Sequence, residues 1–471
     1  MTFYCRENEL KKMNQRYKKS SFECVIIYGR RRVGKTALIN EFCKDKKTIF
    51  FSALRSTAKE NLSALSKAIY LYENPNTSVY PEFSSFESVF DEITRLGNEE
   101  RLVFVIDEYP YLAEAYEAIS SRLQHLIDHV WQHGKLFLIL CGSSMSFMQN
   151  QVLGYESPLY GRRTAQFKIE PLTYLETAVF HPDLSCEQNA YIYGITGGIP
   201  HYINKLNVFD NLDDALIDNL FDRSSYLFEE PENLLKQELR EPAIYNAIIS
   251  AIAEGSSRLN EISTKCSLDS GKCSKYINVL MELGLIKKET AITETSSKKT
   301  IYSIEDNFFR FWYRFVAPNI SSISSGRFER SYPKVVKANM HDYMGLIFEK
   351  MCKEYLMYYA KDLPFDLSEV GQWWGTDSKA RKEIQIDIVG IPVKEPNRKI
   401  TEYLIGSCKF KNEKIGMDEM LLMEHYADVF GKGKSYYYII FSLSGFTDEL
   451  QEYAQSNPVK LVSLRDMYQE S

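Results

Sequence analysis

Short apolar runs alternate with helically spaced segments over the first part of the chain. The runs with the length of buried strands are residues 24–28, 48–53, 101–107 and 136–141. Between them, residues 57–72 place Leu62, Leu65 and Ile69 on one face of a predicted helix. Strands that alternate with helices in this way predict an α/β fold with a parallel, doubly wound sheet.

The middle of the chain has a different pattern. The predicted elements are an apolar helical face at Ile244, Ile248, Ile249 and Ile252, helices at residues 259–263 and 274–283, and strands at residues 285–288 and 300–303. Three helices followed by a hairpin predict a winged helix-turn-helix. Its candidate DNA-facing residues are Lys272, Lys275, Tyr276 and Asn278 on the recognition helix and Lys298 and Lys299 on the wing. So few charges predict modest, salt-dependent phosphate contacts, so DNA binding and packing within the protein both stay open.

The last third of the chain predicts a second α/β region. Its predicted elements are a helix at residues 345–356 and strands at residues 382–389 and 404–410. Residues 306–316 precede this region and carry an aromatic side chain every one to two positions. Burial of these rings and stacking on nucleic-acid bases are the two interpretations, and burial is favoured.

Composition narrows the class of protein. The chain has 471 residues, 44% hydrophobic and 25% charged, which suits about three globular domains. A net charge of −6 argues against a protein that coats nucleic acid nonspecifically. Nine cysteines without a C-x-x-C pair indicate reduced thiols and a cytoplasmic location. No apolar run is long enough to predict a membrane span.

The strongest chemical signal is the phosphate-binding loop at residues 28–36. It fits G-x-x-x-x-G-K-[ST] and lies between a predicted strand and a predicted helix, as a P-loop requires. Its glycines allow a tight turn whose N–H groups converge on phosphate oxygens. The residues expected to bind the nucleotide here are Gly29, Arg30, Arg31, Arg32, Val33, Gly34, Lys35, Thr36 and Ala37. Lys35 supplies the positive charge, and the Thr36 hydroxyl is the expected Mg²⁺ ligand.

Two carboxylates follow the third apolar run. Asp107 and Glu108 end a predicted buried strand about 70 residues after the P-loop, where an α/β sheet binds its ligand. Asp107 is predicted to hold Mg²⁺ through water, and Glu108 is predicted to polarise the attacking water. The chain therefore predicts a Mg²⁺-dependent ATPase.

Other polar residues follow the next strand. Ser143 or Ser144 is a candidate sensor of the γ-phosphate, with a plain serine turn as the alternative. Arg162 and Arg163 follow Gly161, and they are candidates for phosphate sensors or for fingers that reach a neighbouring subunit. A solvated basic turn is an equally good interpretation of the two arginines.

Taken together, the motifs resemble those of a known family. They are FYCRENEL at residues 3–10, GRRRVGKT at 29–36, the Asp107–Glu108 pair, CGSS at 141–144, PLYGRR at 158–163 and GGIP at 197–200. This order resembles the archaeal-type ATPases, which belong to the STAND branch of AAA+-like P-loop proteins, over about residues 1–225. The resemblance implies that Gly198 and Pro200 open a lid helix near the nucleotide. It also implies that the winged helix often packs on the nucleotide domain.

The same resemblance extends to a C-terminal domain of unknown function that is allied to PD-(D/E)XK nucleases. The implied domains are a P-loop ATPase with a helical lid at 1–225, a winged helix-turn-helix at 235–305, an aromatic connector at 306–342 and a restriction-endonuclease-like domain at 343–471. Strand alternation places Glu383, Gln385 and Asp387 on one face of their strand, and it places Ser407 and Lys409 together on one face of the next. The candidate nuclease-like cluster is Glu349, Glu383, Asp387, Ser407 and Lys409.

One residue of that cluster departs from the nuclease pattern. Such nucleases need an acid on one strand and E-x-K on the next, and Asp387 and Lys409 fit while Ser407 stands where the acid belongs. A hydroxyl is a poor substitute for a carboxylate at a divalent ion. The site is therefore expected to be degenerate, although cleavage with Glu383 or Glu369 as the missing ligand stays open.

The leading hypothesis is an ATP-binding, slowly hydrolysing molecular switch that couples nucleotide state to the winged helix and the nuclease-like domain. The alternatives are an ATP-gated DNA-cleaving protein and a DNA-binding transcriptional regulator. The expected ligands are ATP and Mg²⁺. Double-stranded DNA, a protein partner and a second copy of the chain are candidate partners.

Overall fold

The computed structural model describes residues 3–76, 78–206, 211–293, 300–396 and 399–469. The chain forms two compact units. The first comprises Met1–Pro171 with Ile199–His201, and the second comprises Leu172–Gly198 with Tyr202–Ser471.

A five-stranded parallel sheet is the centre of the first unit. Its strands are β1 (Glu23–Tyr28), β2 (Thr48–Ser52), β3 (Val103–Asp107), β4 (Phe137–Gly142) and β5 (Ala165–Lys168). They lie in the order β2-β3-β4-β1-β5, and every neighbouring pair is parallel. All residues of β1, β3 and β4 are buried, as the continuous apolar runs predict for strands covered on both faces. The predicted parallel α/β sheet is confirmed.

Seven helices accompany this sheet in the described part of the first unit. They are α1 (Glu7–Tyr17), α2 (Lys35–Cys43), α3 (Ala58–Glu73), α4 (Phe86–Glu99), α5 (Tyr109–Ala115), α6 (Ile119–His129) and the short α7 (Met145–Phe147). The Thr57 hydroxyl caps α3, and Ser85 forms a capping box on α4. The P-loop, Asp107 and Ser143 all follow the carboxyl ends of adjacent strands, so the fold brings them to one edge of the sheet.

The second unit begins with helices. They are α8 (Tyr174–Ala178), α9 (Cys186–Thr196), α10 (Pro200–Lys205, whose first two residues belong to the first unit), α11 (Leu212–Leu220) and α12 (Tyr226–Glu238). Three more helices and an antiparallel hairpin follow: α13 (Pro242–Ala253), α14 (Leu259–Lys265), α15 (Ser270–Glu282), β6 (Ile286–Thr290) and β7 (Thr300–Ile304). Lys298 and Lys299 lie outside the described residues.

The aromatic segment is interior. Phe308, Phe309 and Phe311 on α16 (Asn307–Phe311) are fully buried, and Trp312 donates its indole N–H to the Phe228 carbonyl at 2.8 Å. These rings are therefore core side chains and are not exposed for stacking on bases. The chain continues through α17 (Ile320–Ser324) to the long helix α18 (Ala338–Tyr358).

A mixed five-stranded sheet completes the second unit. Its strands are β8 (Leu367–Asp377), β9 (Lys382–Pro392), β10 (Glu402–Lys409), β11 (Ser435–Ser442) and β12 (Val459–Ser463), in the order β12-β11-β10-β9-β8. The β8–β9 and β9–β10 pairs are antiparallel, and the other two are parallel. The helices are α19 (Met417–Phe430), α20 (Asp448–Ser456) and α21 (Leu464–Gln469).

In the described ranges, every helix is too short or too polar to cross a bilayer. All nine cysteines are free thiols.

Candidate nucleotide-binding site

The P-loop turns between β1 and α2 with two glycines at positions that other residues do not fit. A Cβ on Gly29 would collide with the carbonyl oxygen of Ile169, and Gly34 has φ +95° immediately before α2. The first N–H groups of a helix have no partner within the helix, so those of α2 are available to an anion. The loop is thus built to approach phosphates with its backbone.

Lys35 is the charged group of this loop. Its side chain is 6% exposed, and its ammonium donates to the carbonyl oxygens of Gly29 at 2.9 Å and Arg30 at 2.7 Å. Burial lowers the pKa of Lys35, while the nearby Cys141, Glu108 and Asp107 oppose this. The ammonium is therefore held over the loop, and the nearby acidic side chains only partly stabilise its charge.

Thr36 and Asp107 meet at the edge of the sheet. The Thr36 hydroxyl donates to Oδ2 of Asp107 at 3.0 Å, and the backbone N–H of Glu108 donates to Oδ1 at 3.0 Å. Asp107 is 5% exposed. A hydroxyl and a carboxylate are hard oxygen ligands, which fit Mg²⁺.

Glu108 lies just beyond β3 and turns back toward β4. Its backbone has φ +51°, uncommon for a residue with a side chain, and it caps the start of α5. Oε2 of its carboxylate accepts hydrogen bonds from both the hydroxyl (2.9 Å) and the N–H (3.2 Å) of Ser143. The structure thus joins two candidate residues that the sequence treated separately.

The two candidate arginines differ sharply. Arg162 donates through Nε and Nη2 to the two oxygens of Asp128 at 2.8 and 2.7 Å, and through Nη1 to the carbonyl of Pro158 at 3.0 Å. Its guanidinium is therefore fixed within the first unit, which does not suit a finger for a neighbour. Arg163 is half-buried and pairs with no carboxylate of the described ranges.

Two further arginines contact the site region through side-chain hydrogen bonds. Arg6, 9% exposed, reaches the carbonyl oxygens of Val33 (3.5 Å) and Glu170. It has φ +70° and precedes α1, and its position in the lead-in motif was the one signal for it in the sequence. Arg31 donates to the Tyr111 hydroxyl on α5 at 2.7 Å. These contacts tie the loop to α1 and α5.

The GGIP segment lies where the chain passes between its two units. Gly197 and Gly198 have φ +64° and +69°, and a Cβ on Gly198 would collide with the Leu172 carbonyl. Pro200 begins α10, and its Cγ is 3.9 Å from the place that a Cβ on Gly34 would occupy. Pro200 therefore lies against the P-loop, as the resemblance implies.

A second polar cluster lies in the C-terminal sheet. Burial, and secondarily the charge of Asp387, raises the pKa of Glu349 on α18 to about 7. Burial also raises the pKa of Asp387, although Oδ2 accepts the Cys408 N–H at 3.0 Å. Gln372 donates its side-chain amide to Glu349. The structure thus brings Glu349 near Asp387, as the sequence predicted.

The acid beside Lys409 comes from an unexpected place. The Ser407 hydroxyl donates to Oε1 of Glu419 at 2.7 Å, and Lys409 Nζ lies 3.1 Å from the same oxygen. Glu419 lies in the first turn of α19, the helix that follows β10, and no strand pattern signals it.

The two acids proposed from the sequence do not reach this cluster. Glu383 and Glu369 lie opposite Thr376 and Ile391, toward the two ends of the β8–β9 pair. Four residues separate Glu383 from Asp387 along one strand, which is roughly 13 Å. Of the described acids, Glu419 and not Glu383 or Glu369 contacts Ser407 and Lys409. Within the described ranges, no three or more His, Cys, Asp or Glu side chains are grouped to hold a metal ion.

The parallel sheet and the loop that follows β1 define a P-loop ATPase. Residues 3–206 match a family described as an ATPase domain predominantly from Archaea, and residues 312–420 match a family of archaeal and bacterial proteins of unknown function. An uncharacterized protein of Methanocaldococcus jannaschii is 35% identical over 379 residues, which is 79% of this chain and 82% of that protein. The chain belongs to this family of archaeal-type ATPases, and its first domain binds ATP.

Two other comparisons are more limited. An uncharacterized ATP-binding protein of the same organism is 42% identical over 45 residues, covering 10% of this chain and 76% of that protein. A Walker-type ATPase of Pyrococcus abyssi superposes with a TM-score of 0.53 at 20% identity, covering 66% of this chain and 96% of that one. This structural likeness supports the P-loop ATPase fold.

Proposed function

We propose that the protein is an ATP-driven molecular switch that hydrolyses ATP slowly and transmits its nucleotide state to the C-terminal unit. Hydrogen bonds join Asp107 to Thr36 and to the Glu108 N–H at one sheet edge, near the charge of Lys35, and this grouping supports the ATPase part of the proposal. Lys35 and the α2 N–H groups bind the phosphates, exchanging the loop carbonyls that Lys35 contacts for phosphate oxygens. Glu108 accepts the proton of the attacking water.

The Thr36 hydroxyl and the Asp107 carboxylate would hold Mg²⁺ at this site. When bound, Mg²⁺ neutralises charge on the β- and γ-phosphates. Asp107 lies beside Lys35 and Glu108 as well, so two carboxylates and the cations Lys35 and Arg31 are close enough to interact at this site. Such an arrangement favours a ligand that brings both phosphate and a divalent cation.

The observation that carries the switch proposal is the packing of α9 on α18 inside the second unit. Tyr193 on α9 donates its hydroxyl to Glu354 on α18, and Glu354 also accepts the Tyr174 N–H at 3.2 Å. The Tyr343 hydroxyl on α18 donates to the carbonyl of Gly194 on α9 at 2.7 Å. Buried hydrogen bonds of this kind favour movement of α9 and α18 as one body.

The covalent path from the P-loop to α9 is short. Pro200 lies against Gly34 in the first unit, and Gly198, two residues earlier, belongs to the second. A nucleotide that displaces Pro200 would therefore pull directly on the carboxyl end of α9. The two left-handed glycines at 197 and 198 provide the backbone freedom for such a movement.

The three-helix module is tied to the same body. The Ile292 N–H, beyond β6, donates to the Gln372 carbonyl of β8 at 2.7 Å, and Ile292 is buried in the C-terminal core. At the other end of the hairpin, Glu305 pairs with Lys287 at 3.4 Å and Lys350 of α18 at 2.8 Å. These contacts support an intramolecular role for the winged helix-turn-helix.

Hydrogen–deuterium exchange of the full chain with no nucleotide, ADP or ATP tests the switch. We expect ATP to alter exchange in α9 and also in α18, and Lys35→Ala to abolish both responses. Tyr193→Phe should weaken the α18 response while the P-loop response persists. Exchange that changes only in the first unit would refute coupling while leaving the ATPase assignment intact.

A second candidate function is DNA binding, with or without cleavage. Lys272, Lys275 and Asn278 are exposed on α15, and neither lysine pairs with a carboxylate of the described residues. The steady-state ATPase rate with and without duplex DNA, at low and moderate salt, tests this candidate. An ATPase rate that DNA stimulates less at higher salt supports DNA as a ligand. A rate that DNA does not change favours a protein partner.

Cleavage is a separate matter, and it rests on the cluster of Glu349, Asp387, Lys409 and Glu419. A supercoiled plasmid incubated with excess protein and Mg²⁺ or Mn²⁺ provides the test, with Asp387→Ala as the control. An intact plasmid would leave this domain as a binding or docking module.

A further inference from the structure

Both hydrogen-bond donors of Ser143, its hydroxyl and its backbone N–H, contact a single oxygen atom. Its hydroxyl and its N–H lie 2.9 and 3.2 Å from Oε2 of Glu108, and the side chain is 5% exposed. A serine hydroxyl carries one hydrogen, so it cannot donate to Glu108 and to a phosphate at the same time. The Ser143 hydroxyl can therefore either position Glu108 or contact a phosphate, depending on which of the two accepts its hydrogen bond.

Glu108 needs such an anchor because its own backbone leaves the strand. β3 ends at Asp107, and the left-handed conformation of Glu108 turns the chain into α5. A carboxylate on a flexible two-carbon stem has several rotamers, and proton abstraction from water requires one of them. Two donors from the rigid end of β4 select one orientation and leave the other carboxylate oxygen to face away from Ser143.

We propose that Ser143 is a positioning residue that aligns the Glu108 carboxylate for attack by water and does not contact the terminal phosphate directly. This inference deepens the proposed ATPase function and rests on it. In this view, Glu108 and the water that it orients meet the γ-phosphate. Ser143, at the end of β4, acts only by holding the Glu108 carboxylate.

The two roles predict different kinetics. A phosphate contact would contribute to ATP affinity relative to ADP, whereas a residue that aligns the base acts on kcat. Loss of alignment should lower kcat by roughly 10- to 100-fold, within the usual contribution of a general base. The backbone N–H donor remains in Ser143→Ala, so loss of the hydroxyl need not equal loss of Glu108.

The test uses the full chain with Ser143→Ala, Glu108→Gln and the double variant. Ser63→Ala is a matched control, since the Ser63 hydroxyl also donates to a carboxylate, that of Glu82 at 2.6 Å, in the same unit. We expect Ser143→Ala to lower kcat about 10-fold or more, with the ATP-to-ADP affinity ratio unchanged. In the Glu108→Gln background, single-turnover rates should fall less than about twofold further, because the aligned group is already gone.

Three outcomes would overturn the inference. They are a selective loss of ATP affinity over ADP in Ser143→Ala, an equal fall of kcat with and without Glu108, and a Ser143→Ala rate equal to that of Ser63→Ala. Absence of Lys35-dependent hydrolysis in the unmutated chain is a different result, which would refute the ATPase function itself. Thermal melts of each variant separate loss of folding from loss of alignment.

Discussion

The Thr36 hydroxyl and Oδ2 of Asp107 are 3.0 Å apart, although 71 positions separate the two residues in the chain. This contact joins the start of α2, which follows β1, to the end of β3, and β4 lies between these two strands in the sheet. Both groups are oxygen ligands of the kind that Mg²⁺ takes, so the fold places two candidate ligands side by side.

Replacement of Asp107 should weaken the use of Mg²⁺. Asp107→Asn keeps an acceptor for Thr36 but removes the negative charge that a cation requires. We expect the Mg²⁺ concentration for half-maximal hydrolysis to rise by about tenfold or more. Magnesium titrations of the ATPase rate provide the measurement, and the exposed Asp91→Asn on α4 is the control. An unchanged titration would remove Asp107 from the metal site.

Replacement of Lys35 should strongly weaken ATP binding. Lys35→Ala deletes the buried ammonium that would meet the phosphates, and a loss of roughly 100-fold in affinity is expected for a desolvated charge pair. Isothermal titration calorimetry measures it. Lys44→Ala, at the other end of α2 and paired with Glu41 on the surface, should bind as the unmutated chain does. Equal affinities for the two variants would contradict the P-loop assignment.

Tyr193 should stabilise the second unit through Glu354. Burial raises the pKa of Glu354, and Tyr193 is one of the donors that satisfy its carboxyl group. Tyr193→Phe leaves that acceptor short of a donor, at a destabilisation of about 1–3 kcal/mol. Thermal unfolding compares it with Tyr191→Phe, whose hydroxyl meets Glu187 on the surface. If both variants melt together, α9 and α18 are not held by this bond.

Glu349 should make stability depend on pH. Its pKa is raised to about 7, mainly by burial, so between about pH 4.5 and 7 the unfolded chain loses this proton before the folded chain does. The folded state therefore loses stability as the pH rises through that window, by about 3 kcal/mol at most. Glu349→Gln, which stays neutral, should melt several degrees higher than the unmutated chain at pH 8 and equally at pH 5.

Melting curves at both pH values check this prediction. Glu383→Gln is the control, because Glu383 is exposed on β9. A gain at pH 5 as large as that at pH 8 would mean that packing, and not ionisation, distinguishes Glu349→Gln.

The exposed face of α15 yields a prediction for the DNA alternative. Lys275→Glu reverses a solvated charge beside Lys272 and should weaken duplex binding, most visibly at low salt, by roughly 10-fold. Fluorescence anisotropy at two salt concentrations measures it. Unchanged affinity at low salt would exclude this face of α15 as the contact.

Local sequence patterns predicted much of the first unit. The apolar runs predicted β1 to β4, because a strand buried on both faces needs consecutive apolar residues. The P-loop spacing located Gly29, Gly34 and Lys35 because the turn itself imposes them. Position at the end of a strand was enough to predict Asp107 at the ligand-binding edge of the sheet and to single out Ser143 as a candidate. The hydrogen bonds from Ser143 to Glu108 depend on the left-handed backbone of Glu108, which no local sequence pattern signals.

The C-terminal cluster was predicted only in part. Strand alternation placed Asp387, Ser407 and Lys409, because side chains on a strand have a period of two. It could not find Glu419, whose carboxylate reaches Ser407 through the packing of α19 against β10. Alternation also made Glu383 a candidate for the cluster. Two residues on the same face of a strand can nevertheless be far apart along it.

The sequence by itself determined the P-loop, the parallel sheet and the identity of the ATPase family, since each is signalled by short motifs or apolar runs whose residues are consecutive in the chain. Tertiary structure alone decided that Arg162 is bound to Asp128, that residues 172–198 belong to the C-terminal unit, and that Tyr193 meets Glu354 161 positions away. Such contacts depend on how whole elements pack, and packing is a property of surfaces that distant segments form together.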